Sequence, residues 1–166
     1  HYWPDVVAHT PDLIGYGQRQ ELAAGQSIDL RSQAADIARL IRERIGQPTW
    51  LLGHSVGGAI AMLVAEQVPE LICGLINVEG NFTLKDAFWC SRIAATFEDD
   101  WAGEYRLLRA DPVAWLRRSG IDASDERAAW VNAILRNQPH TTVQSMARSV
   151  VGETGATDYL DLVRSV

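Results

Sequence analysis

The sequence predicts an α/β fold, in which a parallel sheet with crossover helices is followed by an all-helical segment. Two observations predict it. Strand-like and helix-like stretches alternate through residues 6–78, and right-handed crossovers make such a sheet parallel. Beyond Glu79 only helical spacing recurs, with no convincing strand pattern. We therefore expect a partial α/β core at residues 1–81 and a helical domain at residues 82–166.

The elements of the α/β part follow from short apolar runs separated by turn residues. The first strand is closed by Pro11, and Ser27 is the expected N-cap of the first helix. Gly46 and Pro48 end that helix in the usual order. The predicted strands are 6–10, 49–52 and 71–78, and the predicted helices between them are 29–45 and 59–68.

The second half of the chain reads as helices joined by short polar or Pro- and Gly-containing separators. Four of the six tryptophans lie here, at residues 89, 101, 115 and 130. Their ordinary role would be packing between helices, and the alternative is to line a pocket for an apolar acyl or aryl group. The predicted helices are 84–96, 99–109, 112–118, 125–137, 142–151 and 158–166.

The composition narrows the function classes. The 166 residues are 47% hydrophobic and carry a net charge of −6, which argues against nucleic-acid binding and a basic membrane patch. No apolar run reaches membrane-spanning length, and we expect no signal peptide. Cys73 and Cys90 form no disulfide framework or metal spacing. We therefore expect a cytoplasmic protein with two reduced thiols and no membrane or nucleic-acid partner.

The run Gly53-His54-Ser55-Val56-Gly57-Gly58 stands between a predicted strand and an apolar helix. A Gly-x-Ser-x-Gly sequence in this context is the nucleophile elbow, a sharp turn that exposes the serine hydroxyl. Small residues at Gly53 and Gly57 would avoid collisions in that turn, and Gly58 would let the helix approach the sheet. Ser55 is therefore the predicted nucleophile, and it needs an adjacent base. A structural serine in a helix-starting turn is the alternative.

Three landmarks in order resemble the α/β-hydrolase fold superfamily. Pro11–Gly17 resembles the loop after the fourth strand of that fold, Gly53–Gly58 the elbow after the fifth, and Leu75–Asn81 the end of the sixth. In the family a helical cap follows the sixth strand. The resemblance therefore implies a partial hydrolase sheet, with strands resembling the fourth to sixth, and a cap at residues 82–166.

The resemblance also implies parts that the chain lacks. The family has three strands before the fourth, and its catalytic histidine follows the last strand. The family's third strand lies between the fourth and the fifth, so without it two strands would leave backbone groups unpaired. We expect this segment to need further polypeptide: the rest of the same protein, a second chain, or a segment exchanged in a dimer.

The resemblance assigns roles to three further positions. The backbone N–H of Val56, at a helix N-terminus, would form part of the oxyanion hole. Glu79 follows the sixth strand, where some family members carry the triad acid, and the alternative is a glutamate that pins the first loop of the cap. Asp12 is expected to be structural and to accept backbone N–H bonds around Gly15 and Gly17.

The histidines do not complete a triad. His54 would point to the opposite face from the nucleophile and pack there. His9 lies in the first predicted strand, and His140 in the cap is a remote candidate for a substitute base. The base is therefore expected outside this chain.

The best-supported function is a serine hydrolase that cleaves a small, mainly apolar ester or acyl substrate with no metal or organic cofactor. Phe82, Phe88 and Trp89 are the predicted substrate contacts because they lie nearest in sequence to the sixth strand. The alternatives are a hydrolase-derived ligand-binding protein with little or no turnover, and an inactive fragment.

Overall fold

A computed structural model describes residues 6–118 and 120–166, and it confirms the predicted fold class. A parallel two-stranded sheet is covered on one face by helices, and further helices follow it. The strands are β1 (Thr49–His54) and β2 (Ile72–Val78). The α-helices are α1 (Leu30–Leu40), α2 (Val56–Gln67), α3 (Phe88–Ala95), α4 (Glu98–Ala110), α5 (Pro112–Arg118), α6 (Asp125–Arg136), α7 (His140–Thr154) and α8 (Thr157–Ser165).

The sheet has one covered and one open face. β1 pairs with β2 in parallel, with Leu51 opposite Leu75 and His54 opposite Val78. Leu51 packs against the core beneath α2. Side chains alternate along a strand, so the neighbouring positions point the other way. Four apolar side chains on that open face are exposed: Trp50, Leu52, Ile76 and Val78.

The predicted strand at residues 6–10 is wrong, because this segment has no regular structure. Val6 and Val7 are 62% and 81% exposed. An extended segment becomes a strand only where a neighbour takes up its backbone hydrogen bonds. In the described part of the chain the sheet contains only β1 and β2, so the strand resembling the family's fourth does not form.

The first helix begins at a capping box centred on Asp29, not on Ser27 as expected. The Asp29 carboxylate accepts from the Ser32 backbone N–H at 2.7 Å, and the Ser32 hydroxyl accepts from the Asp29 N–H at 3.2 Å. This reciprocal pair satisfies two backbone donors at the helix start. The helix ends in a π-helical turn, Ile41–Ile45, closed by Gly46 at φ 64°.

The main core lies between α1, α2, α7 and α8. Residues 58–65 of α2 are all buried, as expected for a helix that is apolar on nearly every face. Leu63 and Val150 are fully buried, and each such side chain contributes about 1.5–3 kcal/mol through burial. α7 is also tied to α1, because the Leu30 N–H donates to the Ser149 hydroxyl at 2.9 Å.

A second, smaller core joins α4, α5 and α6. Trp101, Tyr105 and Leu116 form its centre with Val131 and Leu135. The boundary at 81/82 stays a prediction. The structure adds that α7 and α8, which belong to the predicted cap, pack on the main core.

Two further observations concern the cap helices. The third helix starts at Phe88 and not at residue 84, because the Asp86 carboxylate accepts from both the backbone N–H and the hydroxyl of Thr83 and holds a turn there. None of the helices in residues 6–118 and 120–166 is both long and apolar enough to span a membrane.

Candidate active site

Ser55 lies in a strained turn between β1 and α2. Its backbone has φ 52° and ψ −122°, a conformation that non-glycine residues rarely adopt. The turn is held from both sides: the Ser55 N–H donates to the Val78 carbonyl at 2.9 Å, and the Gly58 N–H donates to the Ser55 carbonyl at 2.9 Å. Residues in such conformations cluster at functional sites because the surrounding structure must compensate the strain.

The glycines of the elbow differ in how tightly they are enclosed. A Cβ built on Gly53 would lie 2.4 Å from the Gly57 carbonyl oxygen, and one built on Gly58 would lie 2.4 Å from the Asn77 side chain. These contacts confirm the expected crowding at Gly53 and the close approach at Gly58. The expectation for Gly57 is wrong, since a Cβ there meets no described atom within 4 Å.

The N-terminus of α2 lies directly after Ser55, the predicted nucleophile, and carries no side-chain cap. The first N–H groups of a helix have no partner within the helix. The Val56 amide is one of them, and the helix dipole favours negative charge at this end. The arrangement suits an anion formed beside Ser55.

Glu79 follows β2 and, like Ser55, has a positive φ. Its φ is 51°, and in the described part of the chain Ser55 and Glu79 are the two non-glycine residues with positive φ. The Glu79 side chain is 83% exposed, and its carboxylate oxygen Oε2 lies 3.5 Å from His54 Nε2. The expectation that His54 packs in the interior is wrong, because it lies on the open face of β1 and its side chain is 64% exposed.

The loop after Glu79 is anchored to α8 and to the start of the cap. The Tyr159 hydroxyl donates to the Asn81 carbonyl at 3.2 Å, and the Asn81 side chain donates to the Asp86 carbonyl at 3.0 Å. Burial raises the pKa of Tyr159 to about 12, so the hydroxyl stays protonated and able to donate near neutral pH. These two bonds fix the path of the chain on leaving Glu79.

Asn77 is a site neighbour that sequence reasoning missed. It lies opposite Gly53 in the sheet register, and its side chain fills the space left by Gly58 and Gly80. Both polar atoms of its amide are buried without a hydrogen-bond partner among the described residues. A polar residue inside an otherwise apolar strand, beside the elbow, was the signal that could have found it.

The loop at residues 12–17 is structural, as expected. The Asp12 carboxylate accepts from the Gln18 N–H at 2.9 Å, and a Cβ on Gly17 would lie within 2.4 Å of that carboxylate. A second support was not anticipated. The fully buried Gln33 amide donates to the Ile14 carbonyl at 2.8 Å and accepts from the Ile14 N–H at 2.9 Å. Sequence patterning gives no sign of this bond pair, because Gln33 falls on a helix with many polar residues.

A large groove of about 990 Å³, here called the cap groove, opens among the cap helices. Phe88 and Trp89 line it, whereas Phe82 is not among its lining residues. The lining charges are Arg92, Glu104 and Arg118, of which Arg92 and Glu104 form an ion pair. No group of three or more His, Cys, Asp or Glu able to hold a metal occurs within residues 6–118 and 120–166.

Comparison with known proteins agrees with this geometry. The sequence pattern of the alpha/beta hydrolase family matches residues 1–165, almost the entire chain. The chain belongs to the alpha/beta hydrolase family.

Individual relatives of this alpha/beta hydrolase match over about half of the chain. A protein named lipase LipV from Mycobacterium tuberculosis is 36% identical over 79 residues, which are 48% of this chain and 29% of the relative. A pimeloyl-[acyl-carrier protein] methyl ester esterase from Yersinia pseudotuberculosis is 33% identical over 85 residues, which are 50% of this chain and 30% of that protein. The matched part thus spans less than a third of either relative.

The structure also describes His9 and His140 of this alpha/beta hydrolase. His9 lies in the exposed segment before Asp12. His140 begins α7, where its carbonyl accepts from the Trp101 indole N–H at 2.8 Å and its ring lies 6.1 Å from that of Tyr105. These contacts give His140 a packing role within the cap.

Proposed function

We propose that this alpha/beta hydrolase carries the nucleophile of a serine ester hydrolase that acts on a small, mainly apolar ester or acyl substrate. The observation that carries the proposal is the strained Ser55 turn at the uncapped N-terminus of α2. A base removes the hydroxyl proton as Ser55 Oγ bonds to the substrate carbonyl carbon, and the Val56 N–H stabilises the oxyanion. The alcohol leaves with that proton, and water then releases the acid from Ser55.

Glu79 is the proposed triad acid. Its positive φ supports the role, because Ser55 also has a positive φ and Glu79 directly follows β2, the strand paired with the one that leads into Ser55. A carboxylate there would hold the imidazole of the base in one tautomer and orientation. The competing role is the contact that Glu79 makes with His54, whose ring nitrogen Nε2 lies 3.5 Å from the Glu79 carboxylate.

The base and the rest of the sheet are proposed to come from further polypeptide: the remainder of the same protein, a second chain, or a segment exchanged in a dimer. The open face of β1 and β2 supports this, because Trp50 and Leu52 are 65% and 69% exposed. Monomeric proteins rarely leave a contiguous apolar surface of this kind uncovered.

The proposed substrate is an ester, as the names of the two relatives, a lipase and a methyl ester esterase, suggest. Phe82, Phe88 and Trp89 are the proposed contacts for its apolar part. Phe88 and Trp89 are supported by their place in the cap groove. The free cysteines Cys73 and Cys90 support a cytoplasmic location, because thiols that form no disulfide are typical of reducing compartments.

A serine-directed fluorophosphonate probe tests the proposal on the protein at its natural length. We expect labelling of the native protein that disappears in Ser55→Ala. Ser124→Ala is the matched control, because Ser124 also stands at a helix N-cap but has an unstrained φ of −62°. Labelling that persists in Ser55→Ala would contradict the proposal. A native protein that never labels would also contradict it and would favour the ligand-binding alternative.

The role of Glu79 is tested by the rate of labelling. If Glu79 is the triad acid, Glu79→Gln should slow labelling by at least about 100-fold. His54→Ala removes only the contact between His54 and Glu79 and should leave the rate of labelling nearly unchanged. If Glu79→Gln and His54→Ala both change the labelling rate by the same small factor, Glu79 acts only as the partner of His54.

A further inference from the structure

The cap groove has an unusually apolar and aromatic lining for a surface that faces water. Four tryptophans contribute to it, at residues 89, 101, 115 and 130. Phe88, Leu107 and Trp130 are each more than 60% exposed. Trp89 and Trp115 lie with ring centres 5.9 Å apart. A rimmed apolar surface of this kind marks a binding site for an apolar group.

The charges of the cap groove are not balanced. Arg92 is neutralised by Glu104, and its guanidinium lies 5.9 Å from the centre of the Trp89 ring. Arg118, the third charged lining residue, has no ion-pair partner among the described residues. The lining therefore has a net charge of +1 in a chain whose net charge is −6. A ligand with one negative charge would complement it.

The size of the groove fits a whole small molecule. Its volume of about 990 Å³ lies at the upper end of the range of roughly 300–1,000 Å³ typical of ligand pockets. The charged lining residue outside the Arg92–Glu104 ion pair is Arg118, whose planar guanidinium can donate two parallel hydrogen bonds to a carboxylate or phosphate. The lining thus combines several aromatic side chains with one guanidinium, that of Arg118, that is able to bind an anion.

We propose that the cap groove binds an acyl or aryl chain that ends in a single anionic group, with the anion on Arg118 and the apolar chain over Trp89 and Trp130. The inference rests on the proposed function in one respect: it names the class of molecule that the ester hydrolase would take or release. The binding itself needs no turnover at Ser55.

Binding is measured by quenching of tryptophan fluorescence and by calorimetry, with octanoate, octyl phosphate and octanol as probes. We expect saturable binding of all three, with an anionic probe about fivefold tighter than octanol, the scale of an exposed charge pair. A preference for octanoate assigns a carboxylate ligand, and one for octyl phosphate assigns a phosphate ligand. Equal affinities for all three, or no saturable binding, would overturn the proposal.

Variants separate charge recognition from apolar contact. Arg118→Gln should lose the preference for the anion while octanol binds as before, and Trp130→Ala should weaken all three probes. Arg117→Gln is the matched control, since Arg117 is an exposed neighbour outside the groove. Retention of the preference in Arg118→Gln would refute the assignment. Ser55→Ala should bind like the native protein, so a failure of fluorophosphonate labelling refutes the proposed function without touching this inference.

Discussion

The different surroundings of Gly53 and Gly57 can be tested by replacing each with alanine. The two substitutions should change the free energy of unfolding in opposite directions. In Gly53→Ala the new methyl group would lie 2.4 Å from the Gly57 carbonyl oxygen and 2.7 Å from the Gly58 Cα. Both are backbone atoms, so no side chain can rotate away. In Gly57→Ala the methyl group would meet no described atom within 4 Å.

The magnitudes follow from these contacts. Overpacking against a fixed backbone costs about 3 kcal/mol, so Gly53→Ala should lower the free energy of unfolding by that amount. Gly57 lies in the first turn of α2 and has no positive φ, so alanine should raise the free energy of unfolding by about 0.5–1 kcal/mol. For a chain of this size, Tm should fall by about 6–12 °C in the first variant and rise by about 1–4 °C in the second.

Thermal unfolding of the native protein and both variants, followed by circular dichroism at one protein concentration, measures these shifts. The difference between the two variants is the decisive quantity, because both replace glycine by alanine within one pentapeptide. A Gly53→Ala variant as stable as Gly57→Ala would refute the reasoning from enclosure. A strong loss in Gly57→Ala alone would show that polypeptide outside the described residues packs against that position.

Two further predictions concern stability away from the elbow. Gln33→Leu should lower the free energy of unfolding by about 2–4 kcal/mol in urea titrations, because it leaves the buried backbone N–H and carbonyl of Ile14 without hydrogen-bond partners, whereas the exposed control Gln18→Leu should change it little. The Arg19 guanidinium lowers the pKa of Asp36 below its usual 3.8, so the stabilisation it gives is complete above that value and is lost as the pH falls through the lowered pKa. The stability advantage of the native protein over Asp36→Asn should therefore be present near neutral pH and disappear in strong acid, and an advantage that is constant with pH would contradict this prediction.

Local patterning predicted the elements whose stabilising partners lie nearby in the chain. The helix through Leu63 and the two strands on either side of it form one compact unit, so apolar runs and turn residues sufficed to find them. The segment beginning at Val6 had an equally good strand pattern, but it lacks a neighbouring strand to pair with. Propensity without a pairing partner does not make a strand.

The candidate site was predictable at Ser55, because the turn requires glycine on one side and a helix on the other. The surroundings of the turn were not. The side-chain contacts of Asn77 and Gln33 join elements that are distant in sequence, and no local spacing of residues predicts them. His54 was expected to pack on its face of the strand, but that face is open and its side chain is 64% exposed. The role of Glu79 stays a prediction.

The position of α7 and α8 on the main core has a consequence for engineering. Leu30 and Ser149 are bonded across 119 residues of chain, and Val150 and Tyr159 fill the same core as Leu63. A lid exchange at the 81/82 boundary would therefore remove four of the thirteen buried residues of the main core (Ala87, Met146, Val150 and Tyr159) along with the lid. The interchangeable module is residues 98–138, which contain the centre of the second core, and a chimera should keep residues 140–166 from the parent.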